Sequence, residues 1–286
     1  MSRPEHSAPP EIYYNEAEAR KYTTNTRIQS IQAEMTYRAI ELLALPQGQV
    51  SYLLDIGCGS GLSGECLEED GHLWVGVDIS EAMLHVAVND RDVKEGDLFL
   101  WDIGHGLSFR PGAFDGAISV SVLQWLCNAD KSSHNPYTRL SRFFSTLYTS
   151  LSRGARAVFQ FYPESPDQTD MILTSATRSG FAGGLVVDYP NSTKAKKYYL
   201  CLLAGYKGIE HQAPELPKGL DGDGLPETAA YENRRLQQQR DRRKNKKRTG
   251  LKDKAWILKK KDAMRNKGLP TSLDSKYTGR KRRPKF

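Results

Sequence analysis

The sequence is poor in cysteine and has no long apolar run. Its four cysteines are scattered over 286 residues without a CxxC pair, which argues against a zinc site or a disulfide framework and for a reducing compartment. No run is long enough to span a membrane, and the polar, proline-rich stretch Met1 to Glu11 lacks the apolar core of a secretory signal. The six histidines show no ligand spacing. We therefore expect no metal site and no membrane association.

Excess positive charge is also missing, except near one end of the chain. From Arg234 to Phe286 there are 22 lysines and arginines against four acidic residues, a net charge of +18. Because the whole chain carries +7, the remainder carries −11. An acidic body with a strongly basic tail is typical of a folded domain tethered to a polyanion. The basic run Tyr277 to Pro284 alone fits a nuclear import signal, but charge spread over the whole segment favours an RNA-binding arm.

What the sequence does contain is a glycine-rich stretch, LLDIGCGSG, at residues 53 to 61. The apolar run Tyr52 to Leu54 predicts a buried strand, and Asp55 places a carboxylate at its end. Three glycines then alternate through a turn, at Gly57, Gly59 and Gly61. Glycine tolerates positive φ and lets backbone approach a ligand closely. A helical pattern follows from Leu62 to Asp70, so the stretch predicts the crevice in which open α/β sheets bind nucleotides.

Two cofactors fit this crevice. The run Gly59 to Gly64 matches GxGxxG, the dinucleotide fingerprint, so an NAD-dependent oxidoreductase remains an alternative. However, Asp78 follows the apolar strand Leu73 to Val77, and Asp102 follows the strand Leu98 to Trp101. Acids at three successive strand ends suit a cofactor that carries a sulfonium and an ammonium, whereas they would repel a pyrophosphate. We therefore predict S-adenosyl-L-methionine.

The three acids receive separate roles in this prediction. Asp55 faces the cationic methionine moiety, Asp78 takes the two ribose hydroxyls, and Asp102 lies near the adenine amino group. The same cofactor site is predicted to include three further residues, Ile79, Ile103 and Ser119.

Strands and helices alternate along most of the chain. Amphipathic or capped patterns predict helices at Thr26 to Leu45, Ser80 onward, Asn135 to Arg153 and Ser165 to Ser179. Further strands are predicted at Phe114 to Ser121, Ala155 to Tyr162, Leu185 to Tyr189 and Lys197 to Leu203. Five strands alternating with helices, followed by a closing strand pair, indicate a doubly wound α/β sheet.

The domain plan follows from composition. We predict a cofactor-binding domain at 1–204, a proline- and glycine-rich linker at 205–233 and a basic region at 234–286. Within the last two, Thr228 to Arg248 is helix-prone but polar on every side, whereas Leu251 to Lys267 carries a narrow apolar stripe.

The stretch after the fourth strand bears on the methyl acceptor. It reads Ser119 to Trp125 and offers no obvious general base. N7 of guanine has a free lone pair at neutral pH, so it needs orientation but no deprotonation. Gln124 could hydrogen-bond a base edge and Trp125 could stack on one, or both could merely cap and pack the next element. Likewise, Tyr13, Tyr14 and Tyr22 are expected to pack on the core rather than cover the cofactor.

Five stretches together resemble the eukaryotic small-subunit rRNA (guanine-N7)-methyltransferases. They are Leu53 to Gly64, Gly76 to Ser80, Gln124 to Asn128, Val187 to Ser192 and Tyr277 to Arg282. The resemblance implies a seven-stranded, Rossmann-like class I methyltransferase with a basic, partly helical extension. It also implies methylation of one guanine in 18S rRNA within small-subunit precursors, and a nucleolar, nuclear and partly cytoplasmic location.

The resemblance further implies a small zinc-binding activator subunit as partner. In class I methyltransferases the third strand lies at a sheet edge. Here that strand carries an apolar run without lysine or proline, Leu98, Phe99, Leu100 and Trp101. Such an unguarded edge favours pairing with another chain. We expect the activator there, and a ribosome-assembly helicase as a further partner. The alternative function is a ribosome-assembly scaffold whose methyltransferase activity is dispensable.

Overall fold

The computed structural model describes residues 3–91, 93, 95–131, 134–192, 195–205, 217–220, 254–268 and 270–276. The chain divides into two compact units, residues 1–222 and 223–286. The cofactor-binding domain predicted at 1–204 lies wholly inside the first unit.

A seven-stranded sheet forms the centre of the first unit. Its strands are β1 (Tyr52–Ile56), β2 (Leu73–Asp78), β3 (Gly96–Leu100), β4 (Phe114–Val120), β5 (Leu151–Phe161), β6 (Ala182–Asp188) and β7 (Lys197–Leu203). Their order across the sheet is β3-β2-β1-β4-β5-β7-β6, and only β7 runs antiparallel to its neighbours. The predicted seven-stranded, doubly wound α/β fold is confirmed.

The helices are α1 (Pro10–Tyr13), α2 (Glu16–Thr24), α3 (Thr26–Leu43), α4 (Leu62–Glu69), α5 (Glu81–Asn89), α6 (Leu123–Leu126), α7 (Pro136–Ser150), α8 (Pro166–Arg178) and, in the second unit, α9 (Lys254–Asn266). Short 3-10 turns lie at Pro4–His6 and Ile103–His105. Among the described residues, no helix combines the length and the apolar character needed to cross a membrane.

The sheet has a core on each face because its strands are apolar on both. Leu54 and Ile56 of β1 pack into the cluster built around Phe143, Phe144 and Leu147 of α7. The alternate residue Leu53 packs on the other face with residues of α3 and α4. Alternation along β1 therefore divides its side chains between two helical layers, as expected for a parallel sheet buried on both sides.

The predicted boundary between the helix Asn135 to Arg153 and the strand Ala155 to Tyr162 was wrong. The helix was expected to reach Arg153, but α7 ends at Ser150 and β5 begins at once with Leu151. Gly154 lies inside β5 with φ +86°. There the pairing of β4 with β5 changes register, which is where a strand needs a residue that tolerates positive φ.

The predicted linker and basic region are only partly described. Thr228 to Arg248 and Tyr277 to Pro284 lie outside the described residues. Residues 217–220 belong to the first unit and hydrogen-bond to Arg38 and Asp188. In the second unit, α9 lies within the predicted stretch Leu251 to Lys267, and Lys261 and Arg265 of α9 both pair with Asp274.

Candidate active site

A cleft opens at the carboxyl ends of β1, β2, β3 and β4. Its empty space, including the open mouth, is about 1040 Å³. The turn after β1 contributes Gly57, Cys58, Gly59 and Ser60, and the end of β2 contributes Asp78 and Ile79. Residues after β3 and β4 supply Asp102, Ile103, Val122 and Trp125. Six of the nine predicted cofactor residues therefore line the cleft, together with the candidate Trp125.

The glycine turn requires glycine. Gly57, Gly59 and Gly61 all have positive φ, at +74°, +53° and +80°. A Cβ on Gly57 would lie 2.1 Å from Cγ2 of Val122, and one on Gly59 would lie 2.9 Å from Cε of Met83. Gly61 does not line the cleft but starts α4, and a Cβ there would approach Val93 to 2.8 Å. The turn therefore keeps bare backbone against the cleft.

Asp78 is fixed by backbone donors. Its Oδ2 accepts the amide of Gly59 at 2.8 Å, and its Oδ1 accepts the amide of Ser80 at 2.8 Å. Burial raises the pKa of this carboxyl above its ordinary value, while these amides oppose the rise by favouring the charged form. A carboxylate held in this way retains lone pairs for two further donors from a ligand.

Asp55 occupies a different position from the one expected. It lies within β1, is 1% exposed and is not among the residues that line the cleft. Its Oδ2 accepts the hydroxyl of Ser63 at 2.5 Å, which ties β1 to α4 beneath the turn. Its Oδ1 is buried and has no hydrogen-bond partner. Burial raises the pKa of Asp55 to about 7, and the hydroxyl of Ser63 limits the rise.

Asp102 lines the cleft but is already paired. Arg139 of α7 donates to both carboxylate oxygens, at 3.1 and 2.9 Å, and the amide of Gly104 donates to Oδ1 at 2.8 Å. Nη1 of Arg139 also lies 3.1 Å from Nε2 of His134, and burial, with the charge of Arg139, lowers the pKa of that histidine. Arg139 and His134 also line the cleft, and sequence reasoning missed both.

Two of the predicted site residues, Ser119 for the cofactor and Gln124 for the guanine, lie behind the cleft wall. Ser119 is fully buried, and its hydroxyl donates to the carbonyl of Ile56 at 2.7 Å. Gln124 is 6% exposed, and its amide donates to the carbonyl of Ser121 at 3.0 Å, which is the capping role considered above. Its Oε1 is buried without a partner. Neither residue lines the cleft.

An aromatic group lies over one side of the cleft. Trp125 is 8% exposed, and its ring centroid lies 6.1 Å from that of Tyr13 and 5.9 Å from that of Tyr14. Tyr14 and Tyr22 line the cleft, so the expectation that they only pack on the core was too narrow. Burial raises the pKa of both hydroxyls far above the ordinary value, which keeps them neutral. The amino-terminal helices α1 and α2 thus contribute to the cleft wall.

The residues of the cleft fit S-adenosyl-L-methionine. The turn offers a backbone cradle that a side chain would fill, and Asp78 offers a carboxylate beside it. Two buried oxygens near the turn, Oδ1 of Asp55 and Oγ of Ser60, lack partners. Buried polar atoms without partners are costly unless a ligand or water pairs them. Within the described part of the chain, no three histidine, cysteine or acidic side chains are grouped as a metal site.

Comparison with known proteins agrees with this fit. A model described as a methyltransferase domain matches residues 54–159, and one described as a methyltransferase involved in Williams-Beuren syndrome matches residues 202–284. An 18S rRNA (guanine-N(7))-methyltransferase of Mus musculus is 54% identical, over 99% of this chain and 98% of its own. The 18S rRNA (guanine-N(7))-methyltransferase RID2 of Arabidopsis thaliana is 53% identical, over 100% and 99%.

The 18S rRNA (guanine(1575)-N(7))-methyltransferase of Saccharomyces cerevisiae is 51% identical, over the full length of both chains. Among solved structures, a TehB-like SAM-dependent methyltransferase from Corynebacterium glutamicum superposes with a TM-score of 0.48 at 20% identity, covering 66% of this chain and 99% of that chain. The full-length matches favour methyl transfer over the NAD-dependent alternative.

Proposed function

This chain belongs to the 18S rRNA (guanine-N7)-methyltransferase family, and on that premise we propose how its residues serve the reaction. The protein is an S-adenosyl-L-methionine-dependent methyltransferase, and its acceptor is N7 of a guanine in 18S rRNA. The observation that carries the assignment of the site is the cleft at the strand ends, where the bare glycine turn and the Asp78 carboxylate lie together. The scaffold alternative is not favoured, because the relatives are named for the methylation itself.

The cofactor lies along the glycine turn in this proposal. Gly57, Gly59 and Gly61 keep the backbone accessible, and Asp78 accepts the ribose hydroxyls beside Ile79. Asp102, held by Arg139, faces the adenine amino group beside Ile103. Asp55 acts from beneath the turn through its negative charge, and Ser119 only supports β1. When bound, the cofactor supplies an activated methyl group.

The acceptor needs alignment rather than a base. N7 of guanine is already nucleophilic, so the protein has to hold the base in line with the methyl group and exclude water. Trp125 is the candidate for stacking on the guanine, with Tyr14 beside it. Gln124, the other candidate for positioning the base, lies behind the cleft wall, so its role in this proposal is to support Trp125 from the preceding position of α6.

The basic region, 234–286, is the RNA-binding part of the proposal. Its net charge of +18 is complementary to the negative charge of the RNA phosphates, which dominate the affinity of proteins for nucleic acid. Exposed lysines of α9, at Lys254, Lys259 and Lys260, extend this charge along one helix. The same basic runs serve nuclear import, and with the rRNA substrate they support a nucleolar and nuclear location, with a cytoplasmic fraction.

The activator subunit is assigned to the edge of the sheet. Among the described strands, β3 pairs only with β2, and the side chains of Phe99, Leu100 and Trp101 are 49, 54 and 42% exposed. Leu98 packs partly against the core. An edge strand that ends in an exposed apolar run without lysine or proline favours addition of a strand from a partner. We assign the small zinc-binding activator to this edge, and a ribosome-assembly helicase to the assembly as a whole.

Chemical mapping of rRNA tests the reaction. Borohydride reduction and aniline cleavage break RNA at N7-methylguanine, so small-subunit rRNA from cells lacking the protein should lose one cleavage site. Re-expression of the chain should restore the site, whereas Gly57→Asp, which blocks the turn, should not. An unchanged cleavage pattern without the protein would refute the proposed reaction. Normal subunit assembly with Gly57→Asp, together with failure after removal of 234–286, would instead support the scaffold alternative.

A further inference from the structure

The stretch Asp188 to Ser192 does not line the cleft, yet its first residue is among the most buried acidic residues that the structure describes. Asp188 ends β6 and is 2% exposed. Arg38 of α3 donates to both of its oxygens, from Nε to Oδ2 at 2.9 Å and from Nη2 to Oδ1 at 3.1 Å. A bidentate arginine–carboxylate pair of this kind fixes the relative orientation of the two side chains as well as their distance.

This ion pair holds a segment distant in sequence, residues 217–220. The amide of Leu220 donates to Oδ1 of Asp188 at 2.9 Å, and its carbonyl accepts the amide of Tyr189 at 2.6 Å. Nη2 of Arg38 also donates to the carbonyl of Lys218 at 3.1 Å. We call this set of contacts, made by Arg38, Asp188 and residues 217–220, the anchor.

Two backbone features show that the anchor depends on close approach. A Cβ on Gly219 would lie 2.2 Å from the carbonyl oxygen of Val187, so only glycine fits between the segment and the end of β6. Tyr189 has φ +52°, a left-handed conformation that is uncommon for a residue with a side chain. It turns the chain so that its amide meets Leu220.

The position of the anchor in the sheet links it to the active site. β6 and β5 are both antiparallel to β7, so β6 runs parallel to β5 and its last residue lies at the carboxyl edge. The cleft opens at that same edge. Beyond Leu220, 13 residues lead to Arg234, whereas 28 residues separate Gly205 from Arg234. The anchor therefore halves the length of chain between the folded sheet and the basic region.

We infer that the anchor fixes, at the catalytic edge of the sheet, the point from which the basic region leaves, so that Arg38, Asp188 and Gly219 are positioning residues for the RNA substrate. The inference rests on the proposed role of 234–286 in binding RNA. A shorter tether raises the effective concentration of one binding element at the other, with a −3/2 power dependence on length. Releasing the anchor should thus weaken productive RNA binding about threefold.

Full-length Gly219→Ala and Asp188→Asn test the inference, with Glu41→Gln as matched control. Glu41 also pairs with Arg38, at 2.9 Å, but makes none of the anchor contacts. Tryptic cleavage after Lys218, followed by intact-mass spectrometry, reports release of the segment. Methylation of unmethylated small ribosomal subunits gives KM and kcat, and calorimetry gives the Kd for S-adenosyl-L-methionine. A chain lacking 234–286 is measured in parallel.

Both anchor variants should be cut faster after Lys218 and show an RNA KM raised about threefold, with kcat and cofactor Kd unchanged and Glu41→Gln like the wild type. The double variant should be no worse than either single one, because both act through one contact set. Unchanged cleavage, an unchanged RNA KM, or a parallel loss of cofactor binding would overturn the inference. If removal of 234–286 itself leaves the RNA KM unchanged, the proposed RNA-binding role fails instead.

Discussion

Replacing Asp55 by asparagine should make the free protein more stable near neutral pH while weakening its hold on the cofactor. Asp55 is 1% exposed, and one carboxylate oxygen has no hydrogen-bond partner. Burial raises its pKa to about 7, from 3.8 for an unperturbed aspartate. Asparagine has nearly the same shape and can accept the Ser63 hydroxyl through its carbonyl oxygen, but it carries no charge to be desolvated.

The size of the effect follows from linkage. Between pH 4 and 7 the folded protein holds a proton on Asp55 that the unfolded chain releases, so the free energy of unfolding falls as the pH rises through this window. A pKa difference of about 3 units corresponds to about 4 kcal/mol. Below pH 4 the carboxyl is protonated in both states and the cost vanishes. The stability of Asp55→Asn relative to the wild type should therefore increase by up to about 4 kcal/mol between pH 4 and 8.

Urea unfolding at several pH values measures this difference. Asp97→Asn is the matched control, because it makes the same substitution at an exposed aspartate of the same sheet, on β3. Parallel profiles for the wild type and Asp55→Asn between pH 4 and 7 would refute the reasoning, since they would mean that Asp55 has the same pKa in the folded and unfolded states.

The cofactor experiment tests the functional half of the prediction. A cationic ligand favours the ionised form of a nearby carboxyl, so binding of S-adenosyl-L-methionine should release a proton from Asp55 below pH 7. Calorimetry should then show wild-type affinity falling as the pH drops from 8 to 6, with a smaller slope for Asp55→Asn. The ionisable groups of the cofactor contribute equally to both measurements. The difference between the two slopes of affinity against pH therefore reports the contribution of Asp55 alone. Equal slopes would show that Asp55 does not sense the cofactor.

Three further substitutions test the site and the edge. Gly57→Ala places a Cβ 2.1 Å from Cγ2 of Val122 at φ +74°, and calorimetry should show cofactor affinity reduced at least about tenfold. Trp125→Ala removes a stacking surface, and kcat/KM for RNA should fall about 10- to 100-fold while cofactor Kd is unchanged. Phe99→Asp charges a side chain that is 49% exposed at the sheet edge, and the activator should no longer copurify.

Each of these substitutions has a control on the same protein. Gly112→Ala carries the same positive-φ strain, at +66°, but a Cβ there meets nothing within 4 Å, so cofactor binding should survive. Tyr137→Ala removes an aromatic ring that is 65% exposed outside the cleft, and Val88→Asp charges a residue 53% exposed on α5. If Trp125→Ala leaves RNA methylation intact, the guanine stacks elsewhere; if Phe99→Asp retains the activator, the partner does not use β3.

The sequence by itself determined the succession of strands, turns and helices along the chain. Tyr52 to Leu54, the three glycines and the helix after them are local features, and local spacing is enough to predict a strand, a turn and a helix. The positions of Asp78 and Asp102 could be predicted because the carboxyl ends of parallel strands meet at one edge. The resemblance to rRNA methyltransferases predicted a guanine of 18S rRNA as methyl acceptor. Relatives of that family that are 54 and 51% identical over nearly the whole chain confirm this prediction.

Only the tertiary structure decided where individual side chains point and what they meet. Whether Asp55 and Ser119 face the cleft or lie behind it depends on strand register and on the helices packed above, not on spacing along the chain. Arg139 pairs with an aspartate 37 residues away, and Asp188 pairs with Arg38 across 150 residues. Such contacts leave no local pattern, because the partners become neighbours only when the sheet and its helices have assembled.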